Sequence, residues 1–332
     1  MRMTHIGTDE AGYGPTLGPL VITATVWQSP DDLQPSEWYE ALAPSVTSTC
    51  SARIRKSALH DTHHGRNCDA VIIADSKRIY HSGHGLGDLE RTALALVGLV
   101  KRVPKDWREL VAGLAPESLS DLAVIPWFAD FNPVLPVETT SGRIESAVTC
   151  LKEALSKADL RCVQIRSQLV TAMRFNRELE RFSSKGELLS NLTLQLVSNV
   201  LSSHQKAVLW ADRHGGRAYY ASVLYQAFGA GLVQTEHESP EESAYRVCCS
   251  NRTLRAVFLT RAERLLPVAA SSIISKYLRE LAMLALNRFW QAHLPNLAPT
   301  AGYPGDARRF LAEIAPVQEK LGIAEDIIRR KR

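Results

Sequence analysis

The run Gly7-Thr8-Asp9-Glu10-Ala11-Gly12-Tyr13-Gly14-Pro15, followed by Leu17-Gly18-Pro19 and the apolar stretch Leu20 to Trp27, sets two adjacent carboxylates on a glycine-rich turn between two expected strands. A carboxylate at the end of a strand must be solvated or paired, and two together make a hard, oxygen-rich donor set suited to Mg²⁺. The flanking glycines let a backbone come close to a ligand. An isolated acidic residue beside glycine more often marks an exposed turn, so the metal reading depends on carboxylates elsewhere.

Two further acidic loci stand at sensible places. Asp212 closes the apolar run Ala207-Val208-Leu209-Trp210-Ala211, with Gly215 and Gly216 just beyond it. Glu280 falls in a long helix expected from about Pro267 to His293, on a stretch of small and apolar residues. Taken singly, Asp212 is as readily a loop residue, and Glu280 a solvent-facing residue paired with Lys276 four positions earlier. Their joint order with Asp9 and Glu10 is far less ordinary than any one of them. Neither a Gly-x-Ser-x-Gly elbow nor a Cys-His arrangement points to covalent chemistry.

The elements that position these residues read as an alternation of strands and helices with no internal repeat. Strands are expected at His5–Asp9, Leu20–Trp27, Asp69–Ala74, Leu160–Val170, Lys206–Asp212, Ala244–Cys249 and Leu254–Thr260. Helices are expected at Asp88–Val103, Gly142–Ala158, Gly186–Ser203, Arg217–Phe228 and Pro267–His293. The polar stretch from about Ser29 to Asn67 reads as an insertion, and prolines at 104, 116, 126, 133 and 136 make the next segment irregular, with Trp107 and Trp127 as its anchors.

At 332 residues, 45% hydrophobic and 22% charged, the chain can bury a substantial core and is not disordered. The net charge of +4 permits a nucleic-acid partner without requiring one. No apolar run reaches the eighteen or so residues of a membrane span, so a cytoplasmic protein with reduced cysteines is expected. His60, His63, His64, Cys68, His81 and His84 crowd into one polar region but lack zinc-finger spacing, and are read as a loop.

In ordered motifs the sequence resembles the type 2 ribonuclease H family, ribonuclease HII. Asp9-Glu10-Ala11-Gly12-Tyr13-Gly14-Pro15 looks like the family's Asp-Glu-Ala-Gly-Arg-Gly-Pro, and Asp75-Ser76-Lys77 like its Asp-Ser-Lys. Asp212 looks like its third carboxylate, Ala269 to Glu280 is similar to its Ser-Ile…Lys…Arg-Asp helix, and Gly302-Tyr303-Pro304 is similar to its Gly-Tyr element. Tyr13 stands in place of arginine, Glu280 in place of aspartate, and no His-Arg-x-Ser-Phe element occurs in Val317 to Arg332, whose basic end reads as a nonspecific nucleic-acid contact or a disordered tail.

The resemblance implies an α/β, ribonuclease H-like mixed sheet flanked by helices over 1–292, with insertions near 29–67 and 104–140, and a helical extension over 293–332. It implies an endonuclease that hydrolyses the RNA strand of RNA/DNA hybrids, leaving a 3′-hydroxyl and a 5′-phosphate. Asp9, Glu10, Asp212 and Glu280 would hold two Mg²⁺ or Mn²⁺ ions. Gly12, Tyr13 and Gly14 would approach the sugar-phosphate strand and sense a 2′-hydroxyl, Lys77 and Lys276 would meet phosphates, and Tyr303 would stack on a base or sugar. A noncatalytic nucleic-acid-binding relative, or a nuclease of the same fold with another substrate, is the alternative.

Overall fold

The computed structural model describes residues 2–49, 70–80, 85–201, 206–229, 231–249 and 252–331. The histidine-rich region singled out above, His60 to Cys68 with His81 and His84, lies outside them, as does most of the second half of the expected insertion.

The strands in chain order are β1 (Arg2–Ala11), β2 (Leu20–Pro30), β3 (Val46–Thr47), β4 (Val71–Ile72), β5 (Arg161–Val170), β6 (Lys206–Asp212), β7 (Leu232–Glu238), β8 (Glu242–Cys249) and β9 (Arg252–Leu259). Seven of them form one mixed sheet in the order β5-β2-β1-β6-β9-β8-β7. At its centre β1, β6 and β9 run parallel, and the other pairings are antiparallel. Side chains alternate across a strand, and β2 shows the consequence. Leu20, Ile22, Ala24 and Val26 join one buried cluster, Val21 and Trp27 the other.

Helices cover both faces. α1 (Trp38–Ala41), α2 (Ser76–Ile79), α3 (Gly87–Val100), α4 (Trp107–Leu114), α5 (Leu119–Ala123) and α6 (Ser141–Lys157) precede β5. α7 (Ala172–Leu179) and α8 (Lys185–Leu201) lie between β5 and β6, and α9 (Ala221–Phe228) follows β6. α10 (Leu266–His293), α11 (Pro304–Leu321) and α12 (Glu325–Ile328) follow β9. Leu188, Leu192 and Val197 of α8 with Val223 of α9 fill one face, and Leu94 of α3, Leu151 of α6 and Ile273, Tyr277 and Trp290 of α10 fill the other. No helix among the described residues is long and apolar enough to cross a membrane.

The run of small residues early in α10 is explained by its contact with β1. A Cβ added to Gly7 would sit 2.2 Å from the Pro267 carbonyl carbon, so only glycine permits the approach. Ser271 then donates to the Gly7 carbonyl (2.8 Å) and Ser275 to the Asp9 carbonyl (3.0 Å). These bonds satisfy hydroxyls that would otherwise be buried unpaired.

The long helices and central strands lie within a few residues of their expected bounds, and four expectations change. Val71–Ile72 does not join the main sheet but pairs in parallel with Val46–Thr47 of the expected insertion. Residues 104–140 contain α4 and α5, with Trp107 and Trp127 buried as anchors. β7 was not expected, because Gln234, Thr235, Glu236, His237 and Glu238 are exposed and carry no apolar alternation. The basic segment at 329–331 is ordered and only partly solvated: Arg329 and Lys331 are exposed, but Arg330 is 1% exposed.

Candidate active site

Asp9 and Glu10 lie within β1, which continues to Ala11, rather than on the turn beyond it. Alternation sends the two side chains to opposite faces at the end of the strand. Thr8 is level with Ala211 in the parallel β1–β6 pair, so the next residues along, Asp9 and Asp212, are neighbours on one face, a strand spacing of about 4.8 Å apart. On the far side of β6, Asp212 is level with Leu259, the last residue of β9. The carboxyl ends of three parallel strands thus meet here, which is where open α/β sheets bind ligands.

A residue that the sequence reading passed over joins them. The Ala262 N–H donates to Asp212 Oδ1 at 3.3 Å, and this places the short turn Ala262–Arg264, with Glu263 on it, against the end of β6. Burial first, then the charges of Asp212 and Asp75, raise the Glu263 pKa, while Lys77 lowers it. Asp75 caps α2 by accepting from the Lys77 N–H at 3.0 Å.

All these groups act on one another. Burial is the largest cause raising the Asp9 pKa, followed among the raising influences by Asp212 and Asp75, and a hydrogen bond from Ser272 opposes them. The Glu10 pKa is raised by burial, then by Asp9 and Asp212, against Lys77. Burial disfavours the charge on Lys77, yet Asp75, Asp9, Glu263 and Asp212 together outweigh it and hold its pKa above the ordinary value. Lys77 is the counter-charge inside an acidic cluster, and being exposed it can also reach outward.

Glu280 is placed differently. It pairs with Lys276 at 2.5 Å and with Arg279 at 3.8 Å, and it acts on Tyr80. Ser272, beside Asp9, is eight residues earlier on the same helix, and eight residues of α-helix rise about 12 Å. The expected phosphate contact Lys276 is taken up by this pair and by the Tyr80 ring, 4.9 Å from its ammonium. The signal for Glu263 was available only in three dimensions, because Thr260 to Leu265 carries no motif.

The turn after β1 divides its roles. Gly12 has φ +91°, and a Cβ there would lie 2.5 Å from Arg279 Nε and 2.6 Å from the Pro19 carbonyl oxygen, so its close neighbours are the protein's own. At Gly14 a Cβ would meet only Tyr303, at 4.0 Å, and both Gly14 and Tyr303 are exposed. The Gly302 carbonyl accepts from the N–H groups of Thr16 (2.8 Å) and Leu17 (3.2 Å), which docks the Gly-Tyr element on the turn. Tyr13 points the other way: a Cβ on Gly215 would be 2.5 Å from its hydroxyl. Together with Lys185, Gly186, Arg217 and Tyr219, these two residues line an open cavity of about 470 Å³ next to Asp212 in the chain.

Among the described residues no three histidine, cysteine, aspartate or glutamate side chains converge closely enough, as oriented, to enclose an ion. The chemistry of the donor set nonetheless suits hard dications. Asp9, Glu10, Asp212, Asp75 and Glu263 offer only oxygen, and a divalent cation would relieve both the burial and the repulsion that raise the pKa values of Asp9, Glu10 and Glu263.

No family model matches the chain, and no curated protein matches it. Among solved structures it is similar to ribonuclease HII of Archaeoglobus fulgidus, solved in complex with PCNA, at TM-score 0.41 and 15% identity over 99% of this chain and 95% of that one. It is similar to ribonuclease H2 of Pyrococcus horikoshii OT3 at TM-score 0.40 and 16% identity over 98% and 92%. It is also similar to Bst-RNase HIII, solved with Mn²⁺, at TM-score 0.42 and 14% identity over 99% of this chain and 66% of that one.

Proposed function

We propose that the protein is a metal-dependent endonuclease that hydrolyses the RNA strand of RNA/DNA hybrids. The observation that carries this reading is the acidic cluster at the carboxyl edge of β1, β6 and β9, where Asp9, Glu10, Asp212 and Glu263 are brought together around Lys77. A protein that only bound nucleic acid would gain nothing from concentrating negative charge where phosphates must approach.

Asp9, Glu10 and Asp212 would hold the metal ions, Mg²⁺ or Mn²⁺, with Glu263 rather than Glu280 as the fourth carboxylate. Two bound ions supply a nucleophilic water at neutral pH and neutralise charge on the phosphodiester and the departing oxygen. Ser275 fixes the backbone beneath Asp9, and Ser272 beside it donates to Ser76 Oγ at 3.0 Å, tying α10 to α2. Lys77 balances the cluster and meets the phosphate chain. Gly14 and Tyr303 lie on the open side of the turn, where a sugar edge can reach backbone N–H groups and a ring can stack, which suits discrimination at a 2′-hydroxyl.

The test is incubation of the purified protein with labelled RNA/DNA hybrid, a DNA duplex holding one ribonucleotide, and plain DNA, in Mg²⁺ or Mn²⁺, beside Asp9→Asn. Cleavage of a ribonucleotide-containing strand that Asp9→Asn loses is the expected result. No metal-dependent cleavage of any substrate would sink the nuclease reading, and cleavage of plain DNA alone would sink only the substrate.

A further inference from the structure

Two guanidinium groups are buried behind the turn that follows Asp9 and Glu10, and the metal chemistry uses neither. Arg330 is 1% exposed and Arg279 2% exposed. Arg330 Nη2 donates to the carbonyl oxygens of Gly12 (2.5 Å) and Pro15, and its backbone N–H donates to the Thr16 carbonyl at 2.8 Å. Arg279 Nη2 donates to the carbonyls of Ala301 (3.1 Å) and, at 3.4 Å, of Leu17. The turn from Gly12 to Leu17 is therefore gripped by its carbonyls from behind.

Arg330 is held firmly in that place. Its guanidinium lies over the Phe175 ring, 5.0 Å from the centroid. Asn176, on the same helix, donates to the Arg329 carbonyl at 2.9 Å and accepts from the Lys331 N–H at 2.6 Å, clamping the chain on both sides of Arg330. Burial, and then the charge of Arg279, lower the Arg330 pKa to about 9, and its Nε and Nη1 have no hydrogen-bond partner. A buried cation with orphaned donors and no carboxylate opposite it destabilises a fold, so packing alone does not account for it. Its one strong pairing is with the turn. Among the described residues, meanwhile, the N–H groups of Tyr13 and Gly14 donate to no acceptor in the protein.

We propose that Arg330 is a positioning residue for substrate binding. By holding the Gly12 and Pro15 carbonyls inward through one nitrogen, Nη2, while its plane lies over Phe175, it fixes the peptide units between them, so that the Tyr13 and Gly14 N–H groups are presented to the sugar-phosphate strand. The role rests on the reading of the site as a nucleic-acid hydrolase, but its structural half does not, and the two can be tested apart.

The experiment uses the full chain as wild type, Arg330→Met and Arg330→Lys. Methionine keeps an unbranched apolar side chain beside Phe175 without donors, and lysine keeps the charge and a donor nitrogen but has no plane to lie over the ring. The first readout is amide exchange by mass spectrometry over residues 12–17 in the protein alone. The second is KM and kcat on labelled RNA/DNA hybrid with Mn²⁺. For Arg330→Met, losing a charge-assisted pair of hydrogen bonds should speed exchange of the turn and raise KM about tenfold each, with kcat changed by less than about threefold.

Arg330→Lys should fall between the two. Unchanged exchange in the turn of folded Arg330→Met, or an unchanged KM, overturns the proposal, as does full restoration by lysine, which would show that the planar anchor over Phe175 is not needed. Should Arg330→Met fail to fold, Arg330→Lys decides by the same two readouts, with an intermediate loss expected and wild-type values contradicting. If the wild type cleaves no hybrid, the functional reading falls, and turn exchange alone still decides whether Arg330 fixes the turn.

Discussion

Burial first, and the charges of neighbouring carboxylates second, raise the pKa values of Asp9 and Glu10, which means that the metal-free fold holds both charges at a cost. Asp9→Asn keeps the shape of the side chain and removes one charge. It should stabilise the metal-free protein by about 1 kcal/mol while abolishing the rise in melting temperature that Mn²⁺ gives the wild type. Thermal unfolding with chelator and with Mn²⁺ measures both, and a destabilised Asp9→Asn would show that the charge is not held at a cost. The fourth carboxylate is decided by a paired substitution. Glu263→Gln should lower metal-dependent cleavage about a hundredfold or more, and Glu280→Gln much less, since Glu280 faces Lys276 and Arg279. Equal losses would argue against Glu263.

His5 carries a residue-scale prediction of another kind. Trp210 Nε1–H donates to its Nδ1 at 3.1 Å, so Nε2 bears the proton and donates to Ser29 Oγ at 3.1 Å. A charged imidazole would lose the Trp210 bond, and burial lowers the His5 pKa to about 4 from an ordinary 6.5. The unfolded chain therefore binds the proton more readily: the contribution is complete above about pH 6.5 and is lost as pH falls towards 4, amounting to about 3 kcal/mol. Denaturant unfolding of wild type and His5→Gln across that range isolates it, as the difference between the two should shrink with acid.

At the scale of elements, the site depends on how closely α10 approaches β1. Ser271 and Ser275 bond to Gly7 and Asp9 only because Gly7 leaves Pro267 room to sit against the strand. Gly7→Ala should force the helix away at a cost of about 3 kcal/mol, read in denaturant unfolding, and should weaken metal binding through the displaced serines. An alanine variant of wild-type stability would mean that α10 shifts freely. Much of this element was legible beforehand, because a 28-residue helix opening on small residues announces a close contact. Its partner was not, since small residues say that something comes near without saying what. The short β4 was misread for a related reason: an apolar run of a few residues serves equally in a central sheet or a two-stranded one.

For the molecule as a whole, a net charge of +4 hides an uneven distribution. Lys276 and Arg279 are tied to Glu280, and Arg330 is buried, whereas Lys77 borders the carboxylates and Lys185 and Arg217 line the neighbouring cavity. If these three meet phosphates, affinity for an RNA/DNA hybrid should fall on the order of thirtyfold between about 50 and 200 mM salt, and Arg217→Ala should flatten the slope by about one unit. Fluorescence anisotropy of a labelled hybrid checks it, and a salt-independent affinity would remove this surface from the interface.

By itself the sequence determined the central strands and long helices, whose periodicity records which face is buried, and it determined that Asp212 closes a strand, because a hydrophobic run that stops at an acid with glycines beyond marks such an end, whereas Asp9 and Glu10, read as a turn beside glycines, lie within β1. Tertiary structure alone decided that Glu263 comes up to Asp212 and that Arg330 is buried. Glu263 and Glu280 are the same letter, and only the parallel pairing of β6 with β9 brings the first to Asp212 while the pitch of α10 carries the second about 12 Å from Ser272. Arg330 likewise reads as part of a solvated run. It is buried because carbonyls more than three hundred residues earlier in the chain need a donor, and no local pattern records a partner that distant.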